Sequence, residues 1–204
     1  RNTLKFMSWN LVGFDPSNLE ENLTLVDKFI INKLNKVIYE VDEDFSKYDF
    51  ASALSSLMTF ISTDLSSFYL DIAKDSLYCE KENSLRRRQI QTVIYRISDA
   101  LLRILNPILP FTMDEFNKNL PGNRINNVQL LDYPTVNKED ISKELEDEFD
   151  LIISVRNDVL KSLEVARSNQ VIGSSQEADV KVQFKDDKYL NVLSKFTSEE
   201  LNKL

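Results

Sequence analysis

The sequence predicts a mainly α protein: an antiparallel bundle of long helices followed by a small, incomplete α/β segment at the C-terminal end. Three observations lead there. Only 3 residues are glycine, and the prolines other than Pro16 fall between 107 and 134, so long stretches carry no helix breaker. Within those stretches apolar residues recur every three or four positions, the period of a helix with one buried face. After Gly173 the period drops to two.

Residues 1 to 12 place Leu4, Met7 and Leu11 on one stripe, with Gly13 as a stop and Asp15-Pro16-Ser17 as a turn. From 24 to 45, Val26, Ile30, Leu34, Val37, Val41 and Phe45 line a long amphipathic helix. Asp49 is placed to cap the next one, in which Phe50, Leu54, Leu57, Ile61, Leu65, Phe68 and Ile72 form a stripe expected to be core. A fourth helix, 84 to 105, turns Ile90, Val93, Ile97, Leu101 and Ile104 inward and ends at Pro107 and Pro110. Thr112 and Glu115 suggest a capping box for a short helix that stops near Pro121-Gly122. An irregular connection, 123 to 137, leads to a last long helix from 141 to 168. Ala178, Val180, Val182 and Phe184 then alternate with polar residues as a strand would, before a short helix from Tyr189 to Phe196. The expected division is a helical bundle, 1–137, a long helix that completes or leaves it, 138–170, and the start of a further small domain, 171–204.

Composition removes several function classes. No run of about eighteen apolar residues exists, so no membrane-spanning helix is expected. Arg1 to Lys5 lead straight into an amphipathic pattern without an initiator Met, and the chain reads as a piece of a longer protein whose last unit stops midway. Cys79 is the one cysteine, which excludes an internal disulfide and fits a reducing cytoplasm; it reads as a bystander rather than a nucleophile. With 0 histidines there is neither a Cys/His zinc site nor an imidazole for acid-base work, so no catalytic residue, no metal ligand and no cofactor is expected in this chain. The net charge of −8 argues against a broadly basic surface. It is unevenly spread: residues 138 to 150 hold seven carboxylates against two lysines, which leaves −3 for the rest. Against that background Arg86-Arg87-Arg88 is the densest positive spot.

Motifs in a fixed order carry a resemblance. "YDF" at 48–50, "DLSSFYLDIAKDSLYCE" at 64–80 and "RRRQIQTVIYRISDALLRILNPILPFTMDEF" at 86–116 follow one another, after "RNTLKFMSWNLVGFDP" at 1–16 and before "ARSNQVIGSSQEADVKV" at 166–182. In this order they resemble bacterial isoleucyl-tRNA synthetases across nearly the whole chain. Two departures stand out: Ser8-Trp9 where the family more often has Leu-Gly, and Asn117 where an aromatic is common. The resemblance implies the helical anticodon-binding domain of a class I synthetase, entering a C-terminal junction domain. It implies isoleucine-accepting tRNA as partner, a monomer, and an intact enzyme that uses ATP, magnesium and zinc. The nucleotide-binding, editing and Cys-rich zinc modules of that family are not in this sequence, so the piece by itself is expected to be inactive.

Reading an anticodon requires cations for the backbone and amides and aromatics for splayed bases. The resemblance puts Arg1, Asn2, Phe6 and Asn10 of the first helix, with Arg87, Arg88, Gln91 and Tyr95 of the fourth, around the loop. Lys5 and Trp9 share the first region, although Trp9 and Phe6 read first as packing residues. The arginines also open a helix, where cations oppose the macrodipole and need compensation. Two other readings stay open: the anticodon domain of a valyl, methionyl or leucyl enzyme, and a helical protein-interaction module that uses the acidic surface.

Overall fold

A computed structural model describes residues 1–122, 125–174, 177–184, 186–197 and 201. The chain separates into two compact units, Arg1–Ile141 and Ser142–Leu204.

In the first unit the helices begin where polar side chains can take up the free amides of a first turn. α1 (Asn2–Asn10) ends before Gly13, whose φ of +76° lets the chain reverse. Asp15 Oδ1 then accepts bonds from the Ser17 amide and hydroxyl, which hold its carboxyl below the usual range. α2 (Leu25–Ser46) starts at Thr24 with a reciprocal capping box to Asp27. α3 (Phe50–Thr59) is capped by Asp49, as the sequence suggests, and α5 (Leu85–Leu105) by Ser84. α6 (Pro110–Lys118) corrects an expectation: Thr112 and Glu115 form no capping box, because Pro110 opens the helix two residues earlier at a position that needs no amide donor. The 123–137 connection contains one 3₁₀ turn, Val128–Leu130; Asn123 and Arg124 lie outside the described residues. A second 3₁₀ turn, Lys138–Asp140, closes the unit.

The third helix departs most from its expected form. It is a continuous rod, but Phe60–Tyr69 winds as a π-helix before α4 (Leu70–Cys79) resumes the ordinary pitch. The wider turns move the buried face. Ala53, Leu57 and Phe60 are buried before a step of five to Leu65, and then Phe68, Tyr69, Ala73 and Leu77. Phe50 and Leu54, expected in the core, lie in the α-helical turns before the π segment and are exposed, and Ile61 and Ile72 are half-buried. Ser66 and Ser67 donate to carbonyls five residues back, at 2.7 and 2.9 Å, satisfying groups on the widened turns.

The core lies between α2, this rod and α5. Ile90, Val93, Ile97, Leu101 and Ile104 are all fully enclosed, and Phe29 meets Phe68 edge-to-face at 5.8 Å. Asp27, at the start of α2, reaches both Tyr69 on the rod and Arg86 at the start of α5. The three elements therefore run up, down and up.

In the second unit α7 (Lys143–Ser168) buries Phe149 and Ile152. Phe149 packs edge-on against Phe196, and Glu148 pairs with Lys195 beyond α8 (Asp187–Leu193). The expected strand does not form: among the described residues, 178–184 have no regular secondary structure and enter no ladder. A strand must pair its backbone with a neighbour. Here Val180, Val182 and Phe184 instead border a groove along α7 with Ile152, Val155 and Val159. No helix among the described residues is long and apolar enough to cross a membrane.

Candidate nucleic-acid interface

The structure brings the end of α1 and the beginning of α5 into direct contact. Gln91 is 1% exposed and donates from Nε2 to the Asn10 carbonyl at 2.8 Å. Its Oε1 accepts from Arg88 Nη1 at 2.9 Å. Arg88 also donates to Asn83 Oδ1 at 2.7 Å and reaches the Gly13 carbonyl at 3.5 Å. Asn10 turns its own amide back to the Phe6 carbonyl, 2.8 Å away. Gln91 and Asn10 thus brace the two helices, and their side chains are occupied by protein.

The three arginines divide into different environments. They crowd the first turn of a helix that carries no acidic residue there, against the macrodipole. Compensation comes from far along the chain. Arg86 points inward to Asp27, 59 residues earlier, with Nη1 at 2.5 Å from Oδ2 and Nη2 at 3.1 Å from Oδ1. The Asp27 side chain is fully enclosed, and the Tyr69 hydroxyl donates to it at 2.7 Å. Burial, with the Asp27 charge beside it, drives the Tyr69 phenol well above its ordinary range. Arg88 is tethered as described. Arg87 holds its Nε enclosed with no hydrogen-bond partner among the described residues. It is the arginine of the three with an enclosed donor that no described residue accepts.

Tyr95 lies half-buried two turns along α5 from Arg88, with its ring 5.8 Å from that of Phe14. Phe6 is also half-buried and stands edge-on to Tyr78 of α4 at 6.3 Å. Arg1 and Asn2 sit at the opposite end of α1, about 12 Å further along its axis at 1.5 Å per residue. Arg1 there grips Glu115 of α6 with Nη2, at 3.3 and 3.0 Å from the two oxygens, and Asn2 is exposed. The contacts therefore join Asn10, Gln91 and Arg88 directly, with Phe6 one turn back on α1 and Arg87 next to Arg88 on α5, and leave Arg1 and Asn2 at the other end of α1.

Two features escaped sequence reasoning. Asp27 is visible in the sequence as the third residue of a capping box, but nothing there signals its ion pair with Arg86. Trp9 was expected to pack; it is 72% exposed. The family departure at Asn117 has a simple account: the side chain is buried and donates to the Ile125 carbonyl at 2.8 Å. Among the described residues no three His, Cys, Asp or Glu gather as a metal site. With one Cys and 0 His in the sequence, the residues do not fit a Cys/His zinc site.

Comparison with known proteins bears on the whole chain. Residues 27–182 match the family described as the anticodon-binding domain of tRNA ligase. An isoleucine–tRNA ligase of Fervidobacterium nodosum is 39% identical over 198 residues, covering 96% of this chain and 22% of that protein. Isoleucine–tRNA ligase 1 of Oceanobacillus iheyensis is 38% identical over 196 residues, 95% of this chain and 21% of its own length. The isoleucine–tRNA ligase of Desulforamulus reducens is 43% identical over 185 residues, 88% and 20% respectively. The chain thus spans about a fifth of the length of these relatives.

Proposed function

Because the chain belongs to the family of tRNA-ligase anticodon-binding domains, we propose that it grips the anticodon stem-loop of an isoleucine-accepting tRNA, through the junction of α1 with the first turn of α5. The observation that carries this reading is the sorting of the arginines. Arg86 is neutralised in the core and Arg88 reaches the Gly13 carbonyl just past α1, while Arg87, between them on the first turn of α5, keeps an Nε that no described residue accepts. A guanidinium that no described carboxylate pairs, at a helix N-terminus, suits a phosphate. Gln91 and Asn10 act by holding the two helices in register. Tyr95 supports the loop through Phe14, and Arg1 and Asn2 extend the contact toward the stem.

Attachment of isoleucine to the tRNA, with ATP and magnesium, belongs to the longer protein, a cytoplasmic monomer whose zinc ligands lie outside this chain. The role of this part is positional. With the anticodon arm held, the acceptor end is directed to the distant catalytic centre.

The test is a low-salt titration of the chain with isoleucine tRNA and with the same tRNA carrying a changed anticodon. Arg87→Ala should weaken binding and lower the slope of log affinity against log salt by about one. Equal binding of the two tRNAs, or an Arg87→Ala variant with unchanged affinity and slope, would sink the reading.

A further inference from the structure

Trp9 is the residue of this interface that the packing of the first unit leaves unused. It is the single tryptophan of the chain, and its 72% exposure is unusual for a residue type that is highly buried on average. Its position follows from α1 itself. Leu4, Met7 and Ser8 face the protein, so Lys5 and Trp9, one turn apart, must face outward. Phe6, three residues back, stands edge-on to the 65%-exposed Tyr78, and the exposed Val12 follows three residues on in the sequence. The nearest cation is Lys5, one turn back on a helix that carries no carboxylate; just past its end Arg88 reaches the Gly13 carbonyl, where the Glu82 carboxylate also stands.

An aromatic face in water with a lysine one turn away on the same rigid helix is how proteins hold single-stranded nucleic acid: every base has a π-face, and the cation takes a neighbouring phosphate. We infer that the Trp9 indole is a stacking platform for an unpaired base of the RNA held at the α1–α5 junction, with Lys5 on the adjoining phosphate. The inference rests on the anticodon stem-loop reading above and deepens it, since it adds a base-contacting residue to a set made mostly of backbone-holding ones.

Because Trp9 is the only tryptophan, its emission reports on it directly. The full chain would be titrated with a fluorescently labelled stem-loop RNA having the sequence of an isoleucine tRNA anticodon arm, and with the same stem closed as a blunt duplex. Label anisotropy measures binding, and indole emission measures stacking. The expected result is saturable quenching by the stem-loop and none by the duplex. Trp9→Ala should bind the stem-loop about five- to a hundred-fold more weakly with an unchanged salt slope, since stacking involves no counterion. Trp9→Phe should recover most of the loss. The exposed position leaves the fold intact in both variants, which circular dichroism verifies. Binding without quenching, with Trp9→Ala equal to the parent, overturns the stacking role and leaves the interface standing. Equal quenching by the duplex also overturns it. Failure of the labelled stem-loop to bind the parent chain at all removes the interface reading, and this inference with it.

Discussion

Arg86→Met tests whether the inward arginine at the start of α5 is part of the fold rather than of the binding surface. In the parent, the enclosed Asp27 carboxylate accepts five bonds. Arg86 supplies two, Tyr69 one, and the Thr24 amide and hydroxyl one each, at 3.1 and 2.8 Å. Removing Arg86 leaves a charge with three neutral donors and no countercharge in a site closed to water. Breaking a buried pair from one side costs about 3–5 kcal/mol, and the 21% exposure of Arg86 puts this case at about 3. With a urea m-value of about 2 kcal/mol/M, the unfolding midpoint should fall by roughly 1.5 M. Far-ultraviolet circular dichroism across a urea series measures this. The double variant Asp27→Leu with Arg86→Met should lose less than the two single variants added together, because it removes the stranded charge. A midpoint shift below roughly 0.5 M in Arg86→Met would mean the pair is screened like a surface one, and the inward assignment of Arg86 would fail.

Three other perturbations follow from particular contacts. The Tyr133 hydroxyl is buried with no hydrogen-bond partner among the described residues, and burial, with Asp42 nearby, pushes its pKa to about 12. A raised phenol keeps its proton in the folded state while the unfolded chain ionises, so stability should fall as pH rises from about 10 to 12. Tyr133→Phe should flatten that fall by about 1–2 kcal/mol after allowance for solvent screening, and should be neutral or stabilising at pH 7; alkaline urea titrations read both effects. Gly122→Ala should lose about 2 kcal/mol in the same urea assay, because φ is +95° and a Cβ would stand 2.7 Å from Pro16 Cγ. Gln91→Ala should lose about 1–3 kcal/mol by leaving the enclosed Asn10 carbonyl without its donor, and should weaken stem-loop binding with no change in salt slope, which filter binding at several salt concentrations would detect.

How much of the fold was legible depended on whether the governing contact was local. Capping is local: Asp49 could be assigned from sequence because a carboxylate three residues before an open amide satisfies it whatever the rest of the chain does. The same holds for Gly13. The π-helix was not legible, because Phe50, Leu54, Leu57, Ile61, Leu65, Phe68 and Ile72 fit an α-helical stripe without a defect. Only packing against α2 and α5 selects the alternative in which Leu57 and Phe60 precede a step of five. The alternation at 178–184 failed for the opposite reason: period two is a property of side chains, whereas a strand requires a backbone partner that this segment lacks among the described residues.

The candidate interface shows the same limit within one tripeptide. Arg86, Arg87 and Arg88 are chemically identical and adjacent, so no local signal can separate a fold-holding arginine from one with donors to spare. Helix geometry separates them. Consecutive residues differ by about a hundred degrees around the axis, which turns Arg86 toward Asp27 and Arg88 toward α1, and leaves Arg87 with neither. The assignment of Arg86 therefore rests on a carboxylate 59 residues away, and that of Trp9 on which side of α1 the rest of the unit covers. Truncating Arg86 should then act on stability and truncating Arg87 on RNA affinity, a division of effects that a run of three equivalent basic residues would not produce.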